Sequence, residues 1–386
     1  MIRRFALAVL AALPFVAACG SGSDPEPLVE EEVATPGAVQ LAPALDGRLN
    51  APAGFKVAYW ARLDAPRGMV VGPDGAVYVS QPGANQVMRL ADTNGDGVAD
   101  DQRVVVRGLD QPFGLAFRDG RLYIANTGGV VRTVLGADGR AAGPLESVAT
   151  YSAGGSHSSR SIVFGRDGAL YVSIGSTCNV CEEQSADRAT VMRFEPNGGA
   201  GRVYARGLRN AVGLAVHPAS GALWVSQHER DNLRPEHEDL PPEEINILQD
   251  GGDFGWPYCH SDRVPNPEFN DPSRCAATIP PALAMQAHSA PMMLTFLDRA
   301  TSLPADYRGD ALVAFHGSWN RETPTGAKVV RVRVQNGRPV GYEDFVTGWQ
   351  EPNGSRWGRP VGVAVAADGS VLVSDDAGGA IFRVYR

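Results

Sequence analysis

The chain has 386 residues and a formal net charge of −8, and no block rich in lysine and arginine interrupts this acidic balance. The charge therefore argues against a nucleic-acid partner. Its 45 glycines and 28 prolines favour a turn-rich β protein over a helical one. The length suits one large all-β domain or two ordinary domains. No apolar run beyond the N-terminus is long enough to span a bilayer.

The N-terminal residues predict export and lipid attachment. Arg3 and Arg4 precede the apolar residues 5–16, and small residues then lead to Cys19. A basic start, a short apolar core and small residues before the cut are typical of a secretory signal, and Val-Ala-Ala-Cys resembles the bacterial lipobox. We expect residues 1–18 to be a lipoprotein signal peptide, and a lipid on Cys19 to anchor the protein in the periplasm or cell envelope, at the outer membrane of a Gram-negative host. An ordinary signal peptide that contains a cysteine is the alternative.

The next segment separates the lipid from the folded part. Residues 19–46 are acidic, proline-rich and poor in large apolar side chains. Such a composition cannot bury enough apolar surface to fold, so we expect a flexible linker. The folded domain is expected over residues 47–386.

Four cysteines remain after Cys19, namely Cys178, Cys181, Cys259 and Cys275. An even number in an oxidising compartment predicts two disulfides, and proximity pairs Cys178 with Cys181 and Cys259 with Cys275. The C-x-x-C pair could instead be a redox or metal pair. A single pair of this kind with no second pair nearby is weak evidence for zinc.

The folded part repeats one unit: a small residue, an apolar strand, a tight turn and a second apolar strand. The small residues that open clear copies are Gly68, Gly114, Ser161, Gly213 and Gly362. The first four are separated by 46, 47 and 52 residues, whereas 149 residues separate the last two. That gap leaves room for two further periods and an insertion after the fourth copy, and a weaker copy fits residues 291–296 with 311–315. The pattern predicts an all-β, six-bladed β-propeller. A β-sandwich is the alternative, which five matching turns disfavour.

Polar side chains precede the first strands of two consecutive copies. His157 and Arg160 stand before an apolar run in the third copy, and Arg209-Asn210 stand before the equivalent run in the fourth. Equivalent positions in successive blades point into the same central mouth. A rigid sheet that presents a base and cations at one mouth is a common way to build a site.

Two segments could hold calcium. The first begins like a calcium-binding loop, with alternating oxygen side chains ahead of a glycine, although Arg103 occupies the position of the usual bidentate glutamate. Its candidate ligands to a structural Ca²⁺ are Asp92, Asn94, Asp96 and Asp100, with Asp101 as a substitute for the last. A solvated acidic turn is the alternative. The second segment, residues 228–258, is rich in carboxylates and turns. It could bind Ca²⁺, or it could be a charged surface loop.

Seven short motifs occur in an order that resembles a known family. They are GGSHSSRS (154–161), STCNVCEE (176–183), GLRN (207–210), HERD (228–231), DFGWPY (253–258), HGSWNR (316–321) and GRPVGVA (358–364). Together they resemble the quinoprotein sugar dehydrogenases that use pyrroloquinoline quinone (PQQ) on a propeller like that of soluble glucose dehydrogenase. The sorbosone and pyranose dehydrogenase branch is the more similar one.

The resemblance implies roles for individual residues. His157 matches the general base, and Arg160 matches a cation beside the quinone or substrate oxygen. Further matches are Arg209, Asn210 and Arg359 for the quinone's carboxylate and carbonyl groups, Arg321 or Lys328 for a cofactor-binding lysine, and the backbone carbonyls of Glu229, Arg230 and Asp231 for a catalytic Ca²⁺. A histidine suits proton removal because its ordinary pKa is close to neutral.

The expected function is a lipid-anchored, PQQ-dependent dehydrogenase that oxidises a sugar or a sugar-derived alcohol or aldehyde. Its electrons would pass to a periplasmic acceptor, either a cytochrome or a quinone. One alternative is a Ca²⁺-dependent lactonase or esterase, which would need a cage of carboxylates at the central channel. Another is a propeller that binds a carbohydrate or a partner protein without catalysis.

Overall fold

The protein was analysed as a computed structural model, which describes residues 47–233 and 238–386. The predicted signal peptide, Cys19 and the linker lie outside these ranges. No helix within them combines the length and hydrophobicity required to cross a bilayer.

The first strand, β1 (Lys56–Arg62), is followed by four-stranded antiparallel sheets in chain order. The first sheet contains β2 (Met69–Val71), β3 (Val77–Gln81), β4 (Gln86–Ala91) and β5 (Asp101–Arg107). The second contains β6 (Leu115–Arg118), β7 (Arg121–Asn126), β8 (Gly129–Val134) and β9 (Glu146–Thr150). The third contains β10 (Ile162–Phe164), β11 (Leu170–Ile174), β12 (Thr190–Phe194) and β13 (Arg202–Arg206).

The fourth sheet carries the insertion. Its first strands are β14 (Ala211–Val216), β15 (Leu223–Gln227) and β16 (Glu243–Ile247). The insertion then contributes β17 (Gly252–Asp253), β18 (Cys259–His260), β19 (Val264–Pro265) and the helix α1 (Pro272–Ala276), before β20 (Leu283–Met285) completes the sheet. The insertion therefore lies inside the fourth blade, which corrects the prediction that it follows that blade.

The last two sheets complete the ring of six. The fifth contains β21 (Pro291–Phe296), β22 (Ala311–Phe315), β23 (Lys328–Gln335) and β24 (Arg338–Val346). The sixth contains β25 (Pro360–Val365), β26 (Val371–Asp375) and β27 (Ala380–Tyr385), and β1 is its outer strand. Two 3-10 turns, Pro82–Ala84 and Ala305–Tyr307, lie between strands.

The six sheets form a closed propeller. The first strands β2, β6, β10, β14, β21 and β25 contact one another in that order, and β25 also contacts β2. β1 pairs antiparallel with β27, with Lys56 opposite Tyr385, so the N-terminal strand joins the last blade to the start of the domain. The predicted six-bladed propeller is thus confirmed.

The second strand of each blade lies in the core. β3, β11, β15, β22 and β26 are buried along their whole length, because neighbouring blades cover both faces. Their sequences are accordingly near-continuous apolar runs. Burial of such strands is worth roughly 25 cal/mol per Å² of apolar surface, so blade-to-blade packing stabilises the ring more than any single polar contact.

Both predicted disulfides are confirmed, Cys178–Cys181 and Cys259–Cys275. The second joins β18 to α1 inside the insertion. The insertion is also tied to the third blade, since β17 pairs in parallel with β13 and places Asp253 opposite Arg206. The two disulfides therefore constrain two different places, a loop of the third blade and the insertion of the fourth.

A small residue is required at the start of these repeats because the backbone of the next blade lies very close to it. A Cβ at Gly68 would lie 2.1 Å from the carbonyl oxygen of Phe113, and one at Gly213 would lie 2.5 Å from that of Met292. Ser161 occupies the same position in the third blade, where its hydroxyl donates a hydrogen bond to the Val212 carbonyl. Neighbouring backbones approach so closely here that only glycine or a hydrogen-bonded serine fits.

We expect Gly68→Ala to lower the free energy of unfolding by about 1–3 kcal/mol, because the added methyl group would push two blades apart. Urea unfolding of the variant measures this effect. Gly83→Ala is the matched control, since nothing lies within 4 Å of its added Cβ. Equal stability of the two variants would show that the inner strands can separate without cost.

Candidate active site

The strands bring the polar residues to one end of the central channel. In an antiparallel blade the start of the first strand and the end of the second strand lie at the same end. His157 and Asn210 precede β10 and β14, His228 follows β15, Arg67 precedes β2 and Asp376 follows β26. Residues from four blades therefore meet at this mouth.

The geometry of His157 fixes its tautomer. Its Nδ1 lies 3.1 Å from the Ser176 carbonyl oxygen and 2.9 Å from the Ser176 hydroxyl oxygen. That hydroxyl donates its own proton to the Cys178 carbonyl at 2.7 Å, so both Ser176 oxygens act as acceptors. Nδ1 must then carry the proton, which leaves a lone pair on Nε2.

The environment keeps His157 neutral. Burial and, next, the positive charge of Arg209 together lower its pKa to about 4, although the hydrogen bond to Ser176 acts in the opposite direction. A neutral imidazole with a free Nε2 is the form that can accept a proton. The prediction that His157 is a base is therefore consistent with its surroundings.

Gly175 allows His157 and Asn210 to pack together. A Cβ at Gly175 would lie 2.6 Å from the Cβ of His157 and 2.8 Å from Oδ1 of Asn210. On its other side, the Asn210 amide nitrogen lies 3.3 Å from Nδ1 of His228. His228 Nε2 donates to the Pro291 carbonyl at 2.9 Å, so its Nδ1 accepts from Asn210. Burial lowers the pKa of His228 to about 3, which keeps this ring neutral too.

Arg209 is buried, and its N–H groups already have acceptors in the protein. Nε donates to the Asn179 carbonyl at 3.1 Å, and Nη1 donates to the carbonyls of Glu229 at 2.8 Å and His228 at 3.4 Å. Nη2 donates to Asn179 Oδ1 at 2.9 Å and to the Asp231 carboxylate at 3.1 Å. Its charge acts at the mouth, but a carboxylate ligand would have to displace one of these contacts to bind it directly.

Asp231 joins three segments of the mouth. Its carboxylate contacts Arg209, accepts a hydrogen bond from Asn320 Nδ2 at 3.1 Å and lies 3.6 Å from His288 Nδ1. Burial alone would raise the pKa of Asp231, but the His288 contact and the Arg209 charge lower it below its usual value. Asp231 is therefore an ionised carboxylate at the centre of the site.

Arg160 is engaged with backbone carbonyls, and its role beside the quinone stays a prediction. Its side chain is completely buried. Nε donates to the Thr127 carbonyl, and Nη1 donates to the carbonyls of His157 and Ser159. Burial lowers the pKa of Arg160 to about 10. Arg160 thus supports the loop that carries His157.

A second polar cluster lies between the fifth, sixth and first blades. His316 Nε2 donates to the Asp376 carboxylate at 2.9 Å, and Arg359 donates to the carbonyls of His316 and Gly317 at 3.0 and 2.8 Å. The Nε of Arg67 lies 3.4 Å from the Asp376 carboxylate, and among residues 47–233 and 238–386 this buried nitrogen has no hydrogen-bond partner.

Arg359 and His316 both lie in motifs of the sequence, GRPVGVA and HGSWNR, although only Arg359 received a predicted role, whereas Arg67 and Asp376 were not predicted. A signal for Arg67 was present, because it stands directly before the small residue of its repeat, as Arg160 does in the third blade.

The two candidates for the cofactor-binding lysine are both engaged elsewhere. Arg321 donates to the Thr323 and Glu238 carbonyls, and its Nη2 lies 2.9 Å from the Asp239 carboxylate. Lys328 lies on β23, and its ammonium group pairs with Asp344 of the outer strand β24 at 2.6 Å. A contact between the cofactor and either residue stays a prediction.

The predicted calcium ligands of the HERD motif lie beside a group of buried oxygens. The carbonyls of Glu229 and Asp231 each accept one hydrogen bond, from Arg209 and from Asn179 Nδ2, whereas the Arg230 side chain pairs with Glu268 at 2.6 Å. Behind this loop the blade buries Gln227, Glu229, Glu243, Glu244 and Asn246.

Burial controls the ionisation of these acids. It raises the pKa of Glu243 to about 8 and raises those of Glu229 and Glu244 above their usual range. The amide oxygens Gln227 Oε1 and Asn246 Oδ1 are buried without a hydrogen-bond partner. Gln227 lies opposite Glu244 across β15 and β16, so these oxygens belong to one polar layer. Oxygen-rich sites of this kind favour a cation.

The side chains of the candidate calcium loop in the first blade accept hydrogen bonds from the backbone of the same loop. Asp92 accepts hydrogen bonds from the Gly95 and Gly97 amides, and Asp100 accepts from the Thr93 amide and hydroxyl. Asn94 and Asp96 likewise accept from backbone amides two residues ahead. The loop adopts the turns that such a motif needs, and calcium binding there stays a prediction.

Within residues 47–233 and 238–386, one set of three histidine, cysteine or acidic side chains is close enough to share a metal ion, namely Cys178, Cys181 and Glu183. The two cysteines form a disulfide, so they offer no thiolate to a metal. The carboxylate cage that the lactonase alternative needs is absent from the channel within the same ranges.

Comparison with known proteins assigns the family. Residues 49–386 match the family model described as TrAA12-like, and the chain belongs to this family. A Borreliella burgdorferi relative, described only as an uncharacterized protein, is 28% identical over 362 residues, which cover 89% of this chain and 92% of that protein. The resemblance that the sequence motifs indicated is confirmed.

Two further comparisons concern quinoproteins. A pyrroloquinoline quinone-dependent pyranose dehydrogenase of Coprinopsis cinerea is 26% identical over 420 residues, which cover 89% of this chain and 56% of that protein. The chain therefore spans about half the length of that relative. The holo form of the pyranose dehydrogenase PQQ domain from Coprinopsis cinerea superposes with a TM-score of 0.76 at 23% identity, over 90% of this chain and 100% of that domain. This likeness shows a shared propeller fold.

The buried histidines predict a stability that depends on pH. The folded-state pKa of His228 is about 3, below the ordinary value of 6.5, so the unfolded chain binds its proton more readily. This contribution is complete above pH 6.5 and is lost as the pH falls towards 3. We expect His228→Gln to make the melting temperature less sensitive to acidification between pH 7 and 5. Parallel melting curves of the two proteins would refute the assignment.

Proposed function

We propose that this protein is a PQQ-dependent dehydrogenase that oxidises a sugar or a sugar-derived alcohol or aldehyde. The observation that carries the proposal is the neutral His157, whose Nε2 is free at a mouth lined by Arg67, Arg209 and Arg359. A base beside several cations suits removal of a hydroxyl proton next to an anionic acceptor. The family relatives that use PQQ add independent support.

The residues present fit PQQ, which carries several carboxylates. Arg67 offers a buried Nε that makes no hydrogen bond, and burial together with the charge of Arg359 lowers the pKa of Arg67 despite Asp376 nearby. Two cations that disfavour each other's charge gain from an anion placed between them. Arg67 and Arg359 would hold carboxylates of the cofactor, and Asn210 would face its polar edge. When bound, PQQ supplies the acceptor for a hydride from the substrate carbon.

Calcium fits the fourth blade. The carbonyls of the HERD loop and the ionised Asp231 are hard oxygen donors at the mouth, and the polar layer behind them holds two orphaned amide oxygens and buried carboxylates. Ca²⁺ takes six to eight such oxygens. A bound Ca²⁺ would also supply the positive charge that Glu229 and Glu244 need in order to ionise.

The chain's own residues organise proton removal. Nε2 of His157 accepts the proton of the substrate hydroxyl, while Ser176 holds Nδ1–H and keeps the ring in the required tautomer. The Asp231 carboxylate favours the positive charge that then develops on His157, and the Arg209 charge opposes it. The balance keeps His157 neutral until substrate arrives.

Two alternative functions have less support. A Ca²⁺-dependent lactonase or esterase would need a cage of carboxylates in the channel, and within the described residues no three acidic side chains are close enough to share a metal ion. A propeller that only binds a carbohydrate would not need the fixed tautomer of His157.

We infer that the protein acts at the cell envelope and passes electrons to a periplasmic cytochrome or quinone. The support is the signal and lipobox pattern that ends at Cys19. Membrane fractionation of Cys19→Ser tests it: we expect the variant to leave the membrane fraction while retaining its dehydrogenase activity. An unchanged distribution would contradict the lipid anchor.

His157→Gln should lower kcat by roughly 100- to 10,000-fold, the usual contribution of a general base. Dye reduction with a panel of aldoses, ketoses and osones measures this in the presence of PQQ and Ca²⁺. Titration of PQQ should show near-normal binding, because His157 is assigned to the substrate proton. Full activity of the variant would overturn the role of His157, and absence of PQQ binding in the unchanged protein would overturn the proposed function.

The pH profile of kcat/KM provides a second test. Because the pKa of His157 is about 4, the base is already deprotonated throughout the neutral range. We expect the acid limb of the profile to have its midpoint near pH 4. A midpoint near 6.5 would mean that His157 is solvated and is not held as described.

A further inference from the structure

The loop enclosed by the Cys178–Cys181 disulfide lies against the site from the side of the third blade. Asn179 occupies this loop and reaches across to the fourth blade. Its Oδ1 accepts hydrogen bonds from the Asp231 amide at 2.8 Å and from Arg209 Nη2 at 2.9 Å, and its Nδ2 donates to the Asp231 carbonyl at 2.8 Å. Every polar atom of this side chain is thus committed to Arg209 or Asp231.

The backbone of the same residue makes two further contacts. The Asn179 carbonyl accepts a hydrogen bond from Arg209 Nε at 3.1 Å and another from the Trp256 indole N–H at 3.0 Å. Asn179 therefore contacts the Arg209 guanidinium, the backbone of Asp231 and Trp256 at the start of the insertion. Such a set of contacts requires the loop to keep a single conformation.

The loop also fixes His157, by a separate route. The Cys178 carbonyl accepts the hydroxyl proton of Ser176 at 2.7 Å, and this makes the hydroxyl oxygen an acceptor for Nδ1–H of His157. Without that acceptor, the Ser176 hydroxyl could turn and donate its proton to Nδ1, and only the Ser176 carbonyl at 3.1 Å would still favour Nδ1–H. In the competing tautomer the ring carries its proton on Nε2, which is the wrong nitrogen for accepting a substrate proton.

The two ends of the loop are restrained. The disulfide joins residues three apart, and Thr177 donates through its amide and its hydroxyl to the Glu183 carboxylate, at 2.6 and 2.8 Å. A small ring closed by a disulfide has few conformations. The bond therefore acts on geometry more than on overall stability, because it restricts little of the unfolded chain.

We propose that the Cys178–Cys181 disulfide loop is the positioning element of the active site. Asn179 is the residue that holds Arg209 and the backbone of Asp231, and the Cys178 carbonyl orients the Ser176 hydroxyl so that it supports the Nδ1–H tautomer of His157. The proposal rests on the function proposed above as far as turnover is concerned. The positioning itself is a property of the protein without its cofactor, so it can be measured separately.

The chain provides its own control disulfide. Cys259–Cys275 closes a longer loop of the insertion, and Cys275 Sγ contacts the Tyr258 carbonyl there. We expect Cys178→Ser/Cys181→Ser to lower kcat roughly 10- to 100-fold with a small change in melting temperature. Cys259→Ser/Cys275→Ser should lower the melting temperature more and kcat less. The opposite order of effects would overturn the proposal.

Asn179 is tested by three variants of the full chain. Asn179→Ala removes every side-chain contact, Asn179→Asp keeps the two acceptor contacts, and Asn353→Ala removes an exposed turn asparagine as the matched control. We expect kcat to fall roughly 10- to 100-fold in the alanine variant, to recover partly in the aspartate variant and to stay unchanged in the control. If the Asn179 variants lost stability but their kcat values did not follow this order, Asn179 would have only a structural role, and the proposal would be overturned.

The tautomer of His157 gives a readout that needs neither PQQ nor sugar. In ¹⁵N-histidine-labelled protein, the Nδ1 and Nε2 shifts distinguish the two tautomers, and the spectrum of His157→Gln identifies the signals of His157. We expect Nδ1–H in the unchanged protein and a mixture of tautomers in Cys178→Ser/Cys181→Ser. An unchanged tautomer would overturn the positioning role even in an active enzyme. A changed tautomer in a protein that oxidises no sugar would instead contradict only the proposed function.

Discussion

The close approach of neighbouring blades at the inner strands is the constraint on which the rest of the structure depends. Gly68, Gly114, Gly213 and Gly362 leave no room for a side chain beside the next blade, and Ser161 fits by hydrogen bonding to it. This spacing determines how near the loops of adjacent blades lie to one another. Because the strands are packed at this distance, Asn210 can hydrogen-bond to His228 while His157 lies beside it at Gly175.

Charge is organised around this frame in two opposing groups. On one side Arg209 and Asp231 form an ion pair, and the fourth blade also contains the buried Glu243 and Glu244. On the other side Arg67 and Arg359 share a single carboxylate, Asp376. The first group is suited to a cation and the second to an anion. A bound cofactor and a bound metal ion would thus compensate charges at the mouth that the protein's own residues leave uncompensated.

Local sequence patterns predicted the propeller, its blade number and both disulfides, because these follow from repeat spacing and proximity. They also predicted that His157 and Asn210 lie near each other, and both side chains lie beside Gly175. They do not give the direction of a long side chain: Arg160 and Arg67 hold equivalent positions in their repeats, yet Arg160 donates to backbone carbonyls and Arg67 lies beside Asp376. The role of Asn179 was hidden for a similar reason, since its partners lie 30 and 52 residues away in sequence.

The pairing of β1 with β27 has a consequence for how the protein is made. The strand synthesised first in the domain is the outer strand of the blade synthesised last, so the ring cannot close until the final residues are available. Until then the open edges of β1 and of the incomplete sixth blade both present unpaired backbone groups, which invite association with other chains. Export of the chain before folding would keep these edges away from other chains. Closure of the ring would then be the last step of folding, and it joins the two strands that are farthest apart in the domain's sequence.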